Sequence, residues 1–282
     1  MKPRPAGLAA ALALAGAALA GTLGVPAGAS TPGPTTAAPA VDLETVLRAA
    51  QIDPRRPDAA PTPGAETSVR AVESALQSRG LLDQKYVDGS FGTKTVAAYT
   101  AYQKSLGYSG LSANGLPGAT SLERLGFQVT HAVRPGARTT HSGKSVNART
   151  EAMLKEAQRL LGRKLTLDQG SYNPGGDPTS AGTHDGGGVV DVNVAGMSAA
   201  TWTKTVKVLR QVGFAAWHRT PAQGDWPYHI HAAAISDPDL SPAAQHQTGD
   251  YYLGRNGLAD RGADDGPKVT PIRTWEQYQR TH

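Results

Sequence analysis

The sequence predicts an α+β protein in which a small three-helix N-terminal domain precedes a C-terminal α+β domain with a short antiparallel sheet. Two observations support this prediction. Apolar residues follow helical spacing through residues 67–126, and residues 127–282 combine amphipathic helices with short β-branched runs. Helices beside short strands imply an α+β domain.

The chain opens with a segment typical of a secretory signal peptide. Lys2 and Arg4 precede an apolar, Ala-rich run from Gly7 to Val25, and residues 27–29 form a small-x-small cleavage site. Removal of residues 1–29 takes away those two basic residues and lowers the net charge from +5 to +3. An uncleaved anchor is the alternative, because the apolar run approaches the ~20 residues needed to span a bilayer. We expect a secreted, cell-wall-associated protein without stable membrane insertion after cleavage.

The composition excludes several functions. A net charge of +3 suits an anionic cell wall but is too weak to indicate nucleic acid binding. The chain has no cysteine, so its stability must come from its core and no thiol nucleophile exists. The motif Ser-x-x-Lys is absent, which excludes a penicillin-binding-type serine site. The zinc-peptidase motif His-Glu-x-x-His is absent as well.

Residues 30–66 are rich in Pro, Ala and Thr and have the composition of a linker, interrupted by one short helical pattern from Val41 to Ile52. Residues 67–126 then contain three helical patterns separated by turn signals. The first ends near Gly80, the second begins at Thr93 after a tight loop, and the third runs from Gly118 to Leu125. About 60 residues suffice for a small, marginally stable helical bundle.

Residues 127–282 contain two amphipathic helices and three short strands. The first helix is predicted from Thr150 to Leu161, with Leu160 among its inward residues, and the second from Ala199 to Val212. The strands are expected at residues 189–194, 214–217 and 229–231.

Two of these strands carry candidate metal ligands. In residues 189–194 the alternation places Asp191 on the face opposite Val190 and Val192. His184 lies seven residues earlier, so the chain must bend to bring it to Asp191, and three consecutive glycines at 186–188 permit that bend. In His229-Ile230-His231 both imidazoles share one strand face, so one can bind metal and the other can act on a substrate. The alternative is that these are structural or solvated histidines, as isolated His-x-His pairs often are.

The two segments resemble the zinc-binding motifs of the D-Ala-D-Ala metallopeptidases and their relatives, which include the Hedgehog signalling domain. The first family motif is His-x-x-Gly-x-(small)-x-Asp. The second is Glu-x-x-His or His-x-His, with the last His on zinc. An acid four residues before a His-x-His is similar to the Hedgehog arrangement. The matching residues here are His184, Gly187, Val189 and Asp191 in the first motif, and Asp225, His229 and His231 in the second.

The resemblance covers roughly residues 145–255 and implies a zinc peptidase. It assigns Zn²⁺ to His184, Asp191 and His231, which are the residue types of a catalytic zinc site with an open fourth position. It makes His229 the base or oxyanion stabiliser and gives Asp225 the role of orienting His229 or shuttling its proton. The side chains expected to bind substrate are Gln169, Ser171, Ser180 and Trp226.

Two departures from the family pattern affect the expected substrate. Gly182 stands where the family usually has Ser, and residues 169–173 lack the arginine with which the family grips a substrate carboxylate. Because a bidentate guanidinium holds a carboxylate best, the sequence favours an internal crosslink or an amidated stem over a free D-Ala-D-Ala terminus. Arg219 or Arg210 could replace the missing arginine if the fold brought it to the site.

Residues 67–126 resemble the three-helix bacterial peptidoglycan-binding domain, which implies peptidoglycan as a partner. The resemblance depends on an Asp-Gly-x-Phe-Gly loop and several fixed positions around it. The matching residues are Asp88, Gly89, Phe91, Gly92, Thr95, Tyr102, Gln103, Gly107, Gly115 and Thr120.

Together these features predict a monomeric, secreted, zinc-dependent peptidoglycan peptidase, either a carboxypeptidase or an endopeptidase. One alternative is a zinc-containing cell-wall-binding protein without catalysis. A glycosidase is a further alternative, but it needs two carboxylates flanking a sugar, and the only glutamates in residues 127–282 are Glu151, Glu156 and Glu276, none of them in a cleft-like motif.

Overall fold

The computed structural model describes residues 37–58 and 60–282. The predicted signal peptide and the first part of the predicted linker lie outside the described residues. Residues Ala38–His282 form one compact unit. In the described part of the chain, no helix combines the length and the apolar character that crossing a membrane requires.

The first half of this unit is helical, and its helices form where apolar residues recur at intervals of three and four. Val69, Val72 and Leu76 illustrate this spacing, since all three are fully buried on one side of the second helix. A short parallel strand pair joins the two ends of the segment. The elements are β1 (Ala40–Asp42), α1 (Leu43–Ile52), α2 (Glu66–Ser78), α3 (Thr93–Ser105), α4 (Ala119–Leu125) and β2 (Gln128–Thr130).

The helical pattern predicted from Val41 to Ile52 forms α1 (Leu43–Ile52), but this helix belongs to the folded core and does not merely interrupt a linker. Leu43, Val46 and Leu47 of α1 are fully buried in the same apolar cluster as α2. The apolar stripe of this helix is long enough to enter the core, which the Pro- and Ala-rich composition around it did not indicate.

The helical segment also shares its core with the C-terminal part. Val189 and Ala244 belong to the apolar cluster that α1 and α2 form. The side-chain amide of Asn114 donates to the carbonyl oxygens of Pro238 and Leu240 at 2.8 and 3.0 Å. The boundary expected between residues 126 and 127 therefore lies inside continuous packing.

The C-terminal part combines a four-stranded antiparallel sheet with helices, which confirms the α+β class and the short antiparallel sheet. The strand order in the sheet is β5-β6-β8-β7, and a separate hairpin pairs β3 with β4. The strands are β3 (Arg138–His141), β4 (Lys144–Asn147), β5 (Leu167–Gln169), β6 (Val189–Asn193), β7 (Phe214–Arg219) and β8 (His229–Ala234), and the helices are α5 (Ala148–Leu161), α6 (Ala199–Gln211), α7 (Pro242–Tyr252) and α8 (Trp275–Gln279).

One face of the sheet packs on α5 and α6. Val190, Val192 and Ile230 point to this face and join Met153 and Leu209 in a second apolar cluster. The sequence predicted that Leu160 points inward, but its side chain is 37% exposed. The buried residues of α5 end at Ala157, one turn earlier. The alternation of strand side chains sends the polar residues of β6 and β8 to the opposite face.

Candidate metal centre

The candidate site lies on the polar face of the sheet. The antiparallel register sets Asp191 of β6 opposite His231 of β8, and His231 opposite Trp217 of β7. In the neighbouring row, His229 stands opposite Arg219. Directly opposed residues in an antiparallel pair share a face, so the sheet gathers these side chains without any help from loops.

His184 reaches this face from the loop before β6. The chain bends at the three glycines as expected. A Cβ atom at Gly186 would clash with the backbone oxygen of Asp239, and Gly188 has a φ of +79°, a left-handed conformation that favours glycine. His184 is buried, its Nδ1 donates to the carbonyl oxygen of Gly170 at 2.9 Å, and its Nε2 lies 3.2 Å from Oδ2 of Asp191.

The hydrogen bonds of His231 fix which ring nitrogen carries its proton. Nε2 lies 2.8 Å from Oε1 of Gln247, and the amide nitrogen of Gln247 donates to the carbonyl oxygen of Gly257 at 3.3 Å. The Gln247 oxygen therefore accepts from Nε2–H, so Nδ1 of the neutral ring carries a lone pair. That Nδ1 lies 2.8 Å from Oδ1 of Asp191.

A lone pair facing a carboxylate at this distance is repulsive unless a proton or a cation lies between them. Burial lowers the pKa of His231 more than the neighbouring Asp191 raises it, which favours the neutral ring. Burial alone would raise the pKa of Asp191, but its interactions with His184 and His231 outweigh burial and hold this pKa below its usual range, which means that the site favours positive charge beside the carboxylate. The ionised carboxylate therefore favours a positive charge between itself and the rings, either a proton or a metal cation.

The His-Asp-His cluster, defined as His184, Asp191 and His231, could hold a metal ion. One ligand atom from each residue lies within 4.8 Å of the others. Nε2 of His184 is buried and has no hydrogen-bond partner among the described residues, and leaving such an atom unsatisfied is costly. In both histidines the outer nitrogen donates to a carbonyl oxygen, which is how proteins orient metal-binding imidazoles. The predicted ligand set is thus brought together by the fold.

His229 lies beside the cluster, and its Nε2 has no hydrogen-bond partner within residues 37–58 and 60–282. The ring is buried, Nδ1 lies 2.8 Å from the carbonyl oxygen of Pro227, and Nε2 lies 3.7 Å from Oδ1 of Asp191. Because Nδ1–H donates to Pro227, Nε2 keeps its lone pair and faces the pocket. The indole ring of Trp226 lies edge-on, 6.3 Å away.

Asp225 does not take the role expected of it. Its side chain is exposed and outside the pocket lining. The carbonyl oxygen of Pro227 holds Nδ1 of His229 instead. The reason is local, because the turn before β8 brings the backbone of Pro227 back to the ring and leaves Asp225 pointing to solvent.

A small pocket of about 160 Å³ opens over the cluster. Of the four residues expected to bind substrate, Gln169, Ser180 and Trp226 line the pocket. Ser171 does not, because its hydroxyl donates to the carbonyl oxygen of Val189 at 2.7 Å and accepts from the amide of Val189 at 3.1 Å. Ser171 therefore holds the edge of the sheet.

Two residues contribute to the site in ways that local sequence patterns do not indicate. Gln247 comes from α7, and its contact with His231 is tertiary, so no local pattern indicates it. Arg219 lines the pocket, whereas sequence offered it only as one of two replacements for a missing arginine. Extending the predicted strand 214–217 by two residues would have placed Arg219 on the same face as Trp217. The other replacement, Arg210, is committed elsewhere, because it binds Asp264 at 2.8 and 3.0 Å.

Comparison with known proteins adds no identification. No family model matches the chain, and no curated protein or solved structure matches it.

Proposed function

We propose that this protein is a secreted, zinc-dependent peptidase that cleaves peptide bonds of peptidoglycan, as a carboxypeptidase or an endopeptidase. One observation carries the proposal. Nε2 of His184, the carboxylate of Asp191 and Nδ1 of His231 converge within 4.8 Å, beside a pocket that His229 also lines. Two imidazoles and one carboxylate are typical of hydrolytic zinc sites, which keep a further position open for water or substrate.

Zinc suits this cluster because both histidines present unprotonated nitrogens and Asp191 is ionised. When bound, the ion supplies Lewis acidity and lowers the pKa of water toward neutrality. The chain's own contribution is to hold the three ligands rigidly. Asp191 and His231 sit on paired strands, and the outer nitrogens of both histidines are tied to Gly170 and Gln247.

His229 is the residue that would move protons. Its Nε2 faces the pocket with a lone pair, so it can accept a proton from an attacking water and return it to the leaving amine. Once protonated, the ring also stabilises negative charge that develops on the substrate oxygen. The bond from Nδ1–H to the Pro227 carbonyl fixes the ring orientation that both roles need.

Peptidoglycan is proposed as the substrate and partner on the resemblance of residues 67–126 to a wall-binding domain, with the mild positive charge in support. The predicted signal segment makes the cell wall the proposed location. A monomer suffices for the chemistry, because the cluster, His229 and the pocket all belong to one chain. Digestion of purified peptidoglycan by the full chain without its signal segment, followed by mass spectrometry of the fragments, tests the activity and identifies the bond.

Three variants separate metal binding from turnover. His231→Ala should lose zinc and activity, whereas His229→Ala should keep about one zinc per chain and lose turnover. His131→Ala, at an exposed histidine, is the matched control and should change neither. Zinc in the wild type without any released peptide would support the non-catalytic alternative. Equal zinc loss in the first two variants would contradict the division of roles within the His-Ile-His segment.

A further inference from the structure

Three aromatic side chains form a flat group at the end of the β7–β8 strand pair, outside the lining of the pocket over the His-Asp-His cluster. Trp202 lies in the first turn of α6, His218 lies on β7, and Tyr228 directly precedes β8. The ring planes lie within 19° of parallel, and the ring centroids are 4.3 to 5.7 Å apart. We call these three residues the aromatic platform.

The protein holds the platform in place and leaves part of it open to solvent. The indole nitrogen of Trp202 donates to the carbonyl oxygen of Val194 at 3.4 Å, and His218 is paired in the sheet with the buried Ile230. The side chain of Tyr228 is 51% exposed, while the other two rings are partly exposed. Isolated exposed apolar residues are common, but parallel rings of fixed orientation present a preformed flat face.

A recess of about 450 Å³ adjoins the platform. Trp202 and His218 line it together with the polar side chains of Thr220, Gln223 and Asp265. The backbone amide of Thr220 donates to Oε1 of Gln223 at 3.1 Å, so the amide nitrogen of Gln223 remains a donor. The exposed carboxylate of Asp265 is an acceptor. This volume lies within the range of about 300–1,000 Å³ found for small-molecule sites, in which aromatic walls carry a few polar groups.

We propose that the aromatic platform and this recess form a carbohydrate-binding subsite that takes a pyranose ring. A pyranose presents C–H groups on its faces and hydroxyl groups along its edge. The C–H groups carry partial positive charge, which matches the negative face of an aromatic ring. The edge hydroxyls can bond to the amide of Gln223 and the carboxylate of Asp265. This subsite goes beyond the proposed peptidase, whose chemistry requires no contact with sugar.

The size and charge of this surface favour a neutral sugar over a protein, a membrane or an anion. Within residues 37–58 and 60–282, the exposed large hydrophobic side chains are Leu111, Leu160 and Tyr228. One exposed ring cannot form the core of a stable protein interface, which buries about 800 Å² on each partner, nor the apolar face that a membrane surface requires. The carboxylate of Asp265 at the rim of the recess would repel an anion.

The subsite and the metal cluster lie on opposite faces of the sheet. Along β7, His218 alternates with Trp217 and Arg219, which face the cluster side. Tyr228 stacks on His218, whereas the next residue, His229, lines the pocket over the cluster. A sugar on the platform therefore leaves that pocket open, and its binding requires neither metal nor turnover. Failure of the peptidase proposal can thus be distinguished from failure of this one.

The test titrates chitotetraose, a soluble chain of pyranose rings, into the full chain without its signal segment and follows tryptophan fluorescence. All four tryptophans lie after residue 200, so residues 67–126 contribute none of this signal. We expect a saturable change in the wild type. Trp202→Phe should abolish the change but keep binding in calorimetry, because a ring remains in the platform. Tetraethylene glycol, which has C–H groups and ether oxygens but no ring, should not bind.

Three further variants measure the contributions of the platform and its rim. Tyr228→Ala should raise the Kd for chitotetraose about 10-fold, because the ligand would cover the exposed half of this ring. Tyr228→Phe should keep the wild-type affinity, since it retains the ring. Asp265→Ala should weaken binding about 5-fold through the loss of an acceptor. Leu160→Ala, which removes an exposed apolar side chain outside the recess, is the matched control and should change nothing.

Zinc content and the thermal unfolding midpoint are measured for every variant. If Tyr228→Ala fails to fold, Asp265→Ala and Trp202→Phe decide the matter. The inference would be overturned by the absence of saturable binding to the wild type, by wild-type affinity in Tyr228→Ala, or by equal binding of tetraethylene glycol. A fluorescence change that persists in Trp202→Phe would place the sugar at another tryptophan and also reject the platform. Platform-dependent binding without any peptide cleavage would support the subsite and reject only the peptidase proposal.

Discussion

Replacing Gln247 tests whether the residues behind the cluster set its affinity for metal. Its Oε1 accepts the Nε2–H of His231 at 2.8 Å, and His231 is 5% exposed. Gln247→Met removes the acceptor and leaves a buried N–H unsatisfied. We expect zinc affinity to fall about 10- to 100-fold, or about 1.4–2.8 kcal/mol, as for other residues that orient metal-binding histidines. Gln247→Glu should keep or raise the affinity, because a carboxylate accepts the same proton more strongly.

The assay is a competition titration of zinc against a chromogenic chelator, at fixed pH and ionic strength. Gln245→Met provides the control on the same helix, because the Gln245 amide donates to Asn114 and Leu240 rather than to a cluster histidine. The control should lower the thermal unfolding midpoint without changing the zinc Kd. Wild-type affinity in Gln247→Met, or an equal loss in Gln247→Glu, would refute the argument that Gln247 fixes the tautomer of His231.

Two further predictions concern stability. Burial raises the pKa of Glu73 from 4.5 to about 7, so the folded state binds the extra proton between these values and its stability falls as pH rises through that window. Glu73→Gln should therefore gain up to about 3 kcal/mol on the wild type between pH 5 and pH 8, and an equal difference at both pH values in urea unfolding would contradict this. Asp264→Ala should cost about 3–5 kcal/mol, because it leaves the buried Arg210 without its carboxylate. A loss below about 1 kcal/mol in thermal unfolding would show that the remaining carbonyl acceptors suffice.

Strand alternation accounts for the part of the site that sequence predicted. A period of two placed Asp191 opposite the core-facing valines of β6, and His229 and His231 on one face of β8. The register of these two strands sets Asp191 beside His231. The bend that the three glycines permit brings His184 next to Asp191. These predictions succeeded because each depends on backbone geometry within a few residues.

The remainder depends on contacts between distant segments. Asp225 fits the spacing of a motif, but its turn lets the Pro227 carbonyl take its place. Ser171 appears available in sequence and is committed to Val189 in the fold. Gln247 lies 16 residues from His231 on another element. The helix at Leu43–Ile52 matches the predicted pattern from Val41 to Ile52, but its packing into the core was not predicted, since composition alone does not show which apolar stripe is buried.

Anomalous diffraction at the zinc absorption edge, from crystals of the full chain grown with zinc, tests the central claim most directly. We predict one strong peak at about 2.0–2.2 Å from Nε2 of His184, a carboxylate oxygen of Asp191 and Nδ1 of His231. His229 should remain outside bonding distance. No peak at the cluster, or a peak bound by His229 in place of His231, would contradict the account.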